Sequence, residues 1–257
     1  MRRIGLAIVA ALSLTVAGCS TADSVDGEAI PASEVGSSTT TTPASASPSS
    51  PTPGSESPVP GFKATFRAAT GSLPNGTNWN LSLPQVEAGA PGPRAAFNAQ
   101  MDSILTKLTG SATTDYPFTF TDGSLTPTEK SRAVVGSRVL SGAVITLSSA
   151  PRAAHPNTNV ETVVLDIAST KPITDPYVDP ARAKSVLGPL AIAADPTHRL
   201  SAIDVGYEDF KLWIPLPEGF HVYVSVSHAL GDYVAVTIPW DKVTPILKPE
   251  VAHAVSP

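Results

Sequence analysis

The 257-residue sequence predicts an α+β fold: a predominantly antiparallel sheet with two or three helices packed on one face, preceded by a disordered linker. Three observations carry that reading. Apolar and polar residues alternate at the period of a half-buried strand along much of residues 61–248, whereas helical spacing is clear in only two places. The strand-like runs mostly follow one another through short links, which favours antiparallel neighbours over crossover connections. Before residue 61 the composition shifts: of the 24 residues 37–60, 8 are Ser, 5 Thr and 6 Pro, too little apolar surface to offset the entropy of ordering the backbone.

At the N-terminus Arg2 and Arg3 precede an apolar run, residues 4–16, that is short for a bilayer span and is followed by small residues. This is the layout of a secretory signal, residues 1–18. It closes in Val16-Ala17-Gly18-Cys19, and Cys19 is the only cysteine of the chain. The order aliphatic, small, Gly, Cys resembles the bacterial lipobox. The resemblance implies that Cys19 receives a diacylglyceryl thioether, becomes the first mature residue and gains a further acyl chain. Two or more chains anchor stably, because each buried CH₂ adds about 0.8 kcal/mol and one chain alone is marginal. The protein is therefore expected to be exported and held by lipid on the extracytoplasmic face of the cell membrane. An ordinary secreted protein with a chance cysteine is the alternative.

Loss of Arg2 and Arg3 leaves 15 of the 17 basic residues against 22 acidic ones, moving the formal charge from −5 to −7. An acidic chain with no basic run argues against nucleic acid as a partner and against a polybasic grip on lipid. With Cys19 lipidated no disulfide is available, so stability must come from a packed core. Residues 19–60 then read as a tether, spanning about 35 Å as a coil and at most about 130 Å as polyproline II. The tract Thr39-Thr40-Thr41-Thr42-Pro43 is a compositional candidate for O-linked sugar.

The folded part divides into an N-terminal half, residues 61–149, and a C-terminal half, residues 150–249. Residues 62–68 alternate as a strand, and residues 79–83 repeat the pattern until Pro84 ends it. Pro91, Gly92 and Pro93 break the chain before a helix whose apolar stripe is Phe97, Met101, Ile104, Leu105 and Leu108, with Gly110 as its stop. Strand patterns follow at 116–120, 132–135 and 138–147, with a turn at Asp122-Gly123. A polar loop, 150–158, leads to 160–167, whose aliphatics on both faces predict a central strand. Asp179 then N-caps a second helix with Pro180 at its first position and Ala183, Val186, Leu187 and Leu190 as its stripe, weakened by Gly188 and Pro189. Residues 210–214 and 220–226 form a hairpin-like pair, residues 233–238 a last strand, and residues 240–247 one or two helical turns.

In this order, Ala154-His155, the strand 163–167 with Ser169-Thr170-Lys171-Pro172-Ile173-Thr174, Phe210, Glu218-Gly219, Phe220 to Val224, Gly231 and Ile238-Pro239-Trp240 are similar to a known pattern. They resemble the RsiV-type domain of unknown function, found at the extracellular end of an anti-sigma factor and in a secreted immunogenic mycobacterial protein. The first half, with Leu83-Pro84 and a helix opening at Phe97-Asn98, is similar to the module that usually precedes it. Two departures stand out: Ala154 replaces a Gly common before the His, and Val222-Tyr223-Val224 replaces a Phe-rich strand. The anti-sigma factor also has a sigma-binding segment and a membrane helix; this chain shows neither pattern, so it is not expected to sequester a sigma factor. The resemblance implies a lysozyme-like protein as one candidate ligand.

Chemistry-bearing motifs are scarce. The chain has no Gly-x-Ser-x-Gly elbow and no Ser-x-x-Lys, and no free thiol once Cys19 is acylated, so no catalytic residue is assigned. His155, His198, His221, His228 and His253 lack the i, i+4 pairing of a zinc helix, and neither metal nor cofactor is expected. His221 and His228 are close enough in sequence to meet around a strand end. Asp204, Glu208 and Asp209 read either as a solvated loop or as a carboxylate group, at a spacing that fits no calcium loop. The sequons at Asn75 and Asn80 have little force in a bacterium. His155 and Asn157, in the loop beside the expected central strand, and Trp213 and Trp240, either stacking platforms or core, are the candidate ligand-binding residues. The leading expectation is a lipid-anchored envelope protein whose domain binds a protein or cell-wall ligand. The alternative is an ester or glycan hydrolase using His155 with a distant Ser or Asp.

Overall fold

A computed structural model describes residues 61–110, 116–201 and 208–256. The expected signal, Cys19, the tether up to Pro60 and Asp204 lie outside the described residues. No described helix is long and apolar enough to cross a membrane.

The α+β class and the mostly antiparallel pairing are as expected. Strand β1 (Phe62–Ser72) and β2 (Asn78–Ala88) form a long hairpin in register from Phe62↔Ala88 to Ser72↔Asn78. Its turn is closed by Gly76, at φ +87°, and by the Asn75 side chain, which accepts from Thr77 N at 2.9 Å. Pro84 does not end β2; it sits opposite Phe66 inside the strand. The next strand over, β3 (Thr119–Asp122), pairs with β2 only along Asn78–Asn80, so beyond that point β2 is an edge where a missing N–H costs nothing.

Helix α1 (Pro91–Gly110) connects β2 to β3, and this connection makes their pairing the parallel one in the sheet. Pro91 and Pro93, expected to precede the helix, instead occupy its first turn, where a proline lacks only an N–H that has no intrahelical partner. Of the expected stripe, Phe97, Met101, Ile104 and Leu108 are buried, whereas Leu105 is half-buried at its margin. β4 (Arg132–Val135), β5 (Val139–Ser149), β6 (Asn157–Asp166) and the two-residue β7 (Lys171–Pro172) complete a seven-stranded sheet of order β1-β2-β3-β5-β6-β7, with β4 beside β3 on the same edge of β5.

A second, three-stranded antiparallel sheet is built from β8 (Trp213–Leu216), β9 (Gly219–Ser225) and β10 (Tyr233–Ile238), with β9 central. The expected strand at 210–214 begins later, because Glu208–Lys211 forms a 3₁₀ turn. Helix α2 (Pro180–Ala194) runs through Gly188 and Pro189. Its N-cap Asp179 accepts from Ala181 N at 2.8 Å, and burial of Ala183, Leu187 and Ala191 outweighs the local breakers. Helix α3 (Trp240–Val243) continues as a 3₁₀ turn (Thr244–Ile246), and α4 (Pro249–Val255), which the periodicity did not suggest, adds Val251, Ala254 and Val255 to the core.

The two sheets stack. Ala143, Ile145 and Val160 of the large sheet meet Ile214 and Tyr223 of the small one. On the opposite face of the large sheet, Leu140, Val144, Val163 and Leu165 meet Phe97, Met101 and Ile104 of α1. Beyond the small sheet, Val222, Val234, Val236 and Ile238 meet Leu187 and Ala191 of α2 and Val243 of α3. The helices thus flank a double sheet and do not share one face. This explains the two-sided aliphatics of β6: its outer neighbour β7 pairs with it at only Leu165 and Asp166, so its burial comes from the layers above and below. The central strand is β5.

Gly142 of β5 marks the closest approach of α1. A Cβ there would lie 2.9 Å from Met101 Cε and 3.1 Å from Phe97 Cζ, with the Arg132 carbonyl 3.1 Å away on backbone that cannot give. Gly142→Ala is therefore expected to lower stability by about 1–3 kcal/mol, read as a shift in the urea midpoint.

Candidate functional site

The four residues singled out from sequence do not converge. Trp213 is only 1% exposed and stacks on Phe220 with ring centroids 4.8 Å apart. Trp240 meets Phe220 edge-on at 6.1 Å and donates from Nε1 to the Leu216 carbonyl at 3.0 Å. Trp213 is a core ring and Trp240 a half-buried one packed against the same core, because β8 and α3 each turn a side chain toward Phe220 of β9. Asn157 is exposed at the start of β6, where its carbonyl accepts from Ser148 Oγ at 3.4 Å.

His155 is exposed, and its partner is His228, 73 residues away, with ring centroids 3.8 Å apart. His228 lies in the β9–β10 link, where Gly231 (φ +98°) and Asp232 (φ +67°) turn the chain. Asp232 Oδ1 is 2.5 Å from His228 Nδ1, and Oδ2 accepts from Thr158 N at 2.7 Å. Burial pushes the Asp232 carboxyl up, but the Thr158 N–H and the His228 ring outweigh it and hold it below its ordinary value. An ionised Asp232 accepts only, so His228 carries its proton on Nδ1 and turns Nε2 toward His155. The cluster pins the loop 150–156 to the β9–β10 link.

His221 does not meet His228. It is 5% exposed, with Nδ1 2.8 Å from Thr237 Oγ1 and Nε2 3.4 Å from Glu129 Oε1, within ion-pair reach but without good hydrogen-bond geometry. Glu129 also accepts from Tyr223 OH at 2.9 Å and pairs with Arg132 at 2.5 Å. Burial pushes the Glu129 carboxyl up, yet His221, Arg132 and Tyr223 together hold it below its ordinary value. Burial and the Glu129 charge push the Tyr223 hydroxyl well up. A protonated phenol donating to an ionised carboxylate is a structural link between the two sheets. Among the described residues no group of three or more His, Cys, Asp or Glu side chains is placed to hold a metal ion.

A concave surface lies elsewhere. A groove of ≈ 730 Å³ runs between the start of β5, the β6–β7 turn and α4. Its walls carry Ile167, Ile173 and Val251 among the apolar groups, Arg138 and Lys171 among the cations, and Asp166 and Glu250 among the anions. Arg138 also contacts His253 of α4. A smaller cavity of ≈ 220 Å³ adjoins it, since Ser137 and Ala254 line both. Sequence reasoning missed this site because α4 and β7 are too short to show a period. The only available signal was the cluster of turn residues around Ser169 and Thr170.

Fold and groove together define an α+β domain with a binding-sized cleft. No family model matches the chain, and no curated protein matches it. Among solved structures it is similar to a member of the DUF3298 family from Bacteroides fragilis, at 12% identity and TM-score 0.48, over 75% of this chain and 96% of that one. It is also similar to a DUF3298 family protein from Pseudomonas aeruginosa PAO1, at 10% identity and TM-score 0.44, over 76% and 97% of the two chains. Both structural neighbours belong to a family of unknown function.

Proposed function

We propose that the chain is an exported envelope lipoprotein, held by Cys19, whose folded domain binds a ligand and does not transform it. The groove of ≈ 730 Å³ beside α4 is the observation that carries the binding part, since its volume falls within the 300–1,000 Å³ of ordinary ligand clefts. A lining that joins apolar side chains with charges of both signs, Arg138 and Lys171 against Asp166 and Glu250, suits a segment of a protein better than a uniformly charged polymer of the cell wall. The RsiV-type pattern around His155, Glu218-Gly219 and Trp240 supports a lysozyme-like protein as that ligand.

Two measurements test the reading. Retention of lysozyme by the immobilised chain at micromolar concentration is expected, and the double reversal Arg138→Glu with Lys171→Glu is expected to weaken it at least about tenfold. No retention by the wild type removes lysozyme, and equal retention by the variant removes the groove. For the anchor, Cys19→Ala is expected to abolish incorporation of labelled fatty acid and to move the protein from the membrane fraction to the culture fluid. A wild-type N-terminal peptide with an unmodified Cys19 ends the anchor argument.

A further inference from the structure

Phe66 is the large ring that the β1–β2 hairpin leaves in water. It sits in β1 opposite Pro84 of β2, is 54% exposed, and makes no ring contact with another aromatic among the described residues. A cleft of ≈ 370 Å³ opens beside it, between the hairpin and the β3–β4 connection, and its other lining residues are Ser82, Asp122, Gly123, Lys130 and Ser131. The walls are fixed by bonds within the chain. Asp122 Oδ1 accepts from Ser82 N at 2.8 Å, Ser131 Oγ accepts from Ile145 N at 2.8 Å, and an antiparallel bridge between Ser124 and Lys130 braces the connection. Polar tips are left over: among the described residues the Lys130 ammonium, Asp122 Oδ2 and Ser82 Oγ have no partner.

These contents restrict the ligand. Phe66 is the one apolar side chain in the lining, where a site for an apolar molecule or for the core of a protein interface would show several. The ligand is therefore polar except on one face. Lys130 and Asp122 offset each other in charge, so a neutral ligand is favoured over a uniformly charged one. Lys130 only donates and Asp122 only accepts, which asks the ligand for both kinds of group. A pyranose ring meets all three demands: hydroxyls that donate and accept, no charge, and one face of C–H bonds that lies against the electron-rich face of an aromatic ring.

We infer that this cleft binds a sugar ring of a neutral glycan, stacked on Phe66 and bonded through its hydroxyl or acetamido groups to Asp122 and Lys130. The cleft shares no lining residue with the groove, so the inference stands apart from the groove's being a ligand site. The exported position proposed for the domain makes the acetamido-sugar chains of the cell wall the source, and only this choice of source rests on export.

The test titrates chitotetraose, a short neutral chain of acetamido sugars, calorimetrically into the full mature chain, with maltotetraose as a plain hexose chain beside it. Saturable binding of chitotetraose is expected. Phe66→Ala is expected to weaken it about tenfold with the urea midpoint little moved, since the ring is more than half exposed, and Phe66→Trp to restore it. Asp122→Asn, which keeps an oxygen for Ser82 N, and Lys130→Met are each expected to weaken it at least about threefold. Absence of binding by both sugars at about 10 mM overturns the proposal, as does binding of chitotetraose that Phe66→Ala leaves unchanged. Binding of maltotetraose alone overturns the cell-wall source. Retention of lysozyme tests the groove and bears on neither result.

Discussion

Glu129→Ala is expected to destabilise the domain by about 3 kcal/mol or more, measured as a drop in the urea midpoint at neutral pH. The Glu129 side chain is 11% exposed and holds three groups at once: Arg132 at 2.5 Å, the Tyr223 hydroxyl at 2.9 Å and His221 at 3.4 Å. Truncation leaves the Tyr223 hydroxyl and the Nε2 edge of His221 buried without a counterpart, while Nδ1 keeps Thr237 Oγ1, and Arg132, whose side chain is 28% exposed, can turn to water. Glu129→Gln separates charge from shape. The folded-state carboxyl is held below its unfolded value, so its contribution is present above the unfolded carboxylate range and is lost as pH falls through the folded one. Wild-type stability is therefore expected to decline below about pH 4.5, and Glu129→Gln to flatten that acid limb. A variant whose acid limb parallels the wild type would remove Glu129 from the account.

Trp213→Ala is expected to cost about 3–5 kcal/mol, a large share of the roughly 5–15 kcal/mol that holds a domain together. The ring is 1% exposed and its loss opens a void against Phe220, which Tyr177 and Trp240 also contact edge-on. The measurement discriminates roles: a tryptophan displayed for a sugar or a protein would leave the urea midpoint nearly unchanged when truncated.

What the residues disclosed and what they withheld follow from distance along the chain. Period-two runs and the Phe97–Leu108 stripe were legible because each pattern is complete within one element. The division of strands between two sheets was not, since Ile145 and Val163 read alike as buried positions whichever layer they touch. Pro84 misled because an edge tolerates what a centre does not, and an edge is known only once the neighbours are placed. The Glu129 network and the His155–His228 pair join residues 94 and 73 apart, so no local spacing announces either. His155 was noticed, but with a distant Ser or Asp as its expected partner, and His228 was expected to meet His221 and not His155. The tryptophans looked ambiguous by nature, being equally at home in a core and on a surface.

The hairpin has a mechanical corollary. Tension arriving from the N-terminal side enters at Gly61, one residue before a strand that pairs along 11 positions with β2 and, among the described residues, with no other strand. Pulled lengthwise, those pairs share the load and must rupture together. Pulled crosswise, they open one after another from Phe62↔Ala88, like a zip. Leu81, Leu83 and Val86 keep β2 seated against the core whichever way the first strand leaves, so β1 is a sacrificial outer ply and the body behind it can outlast a tug that strips it away.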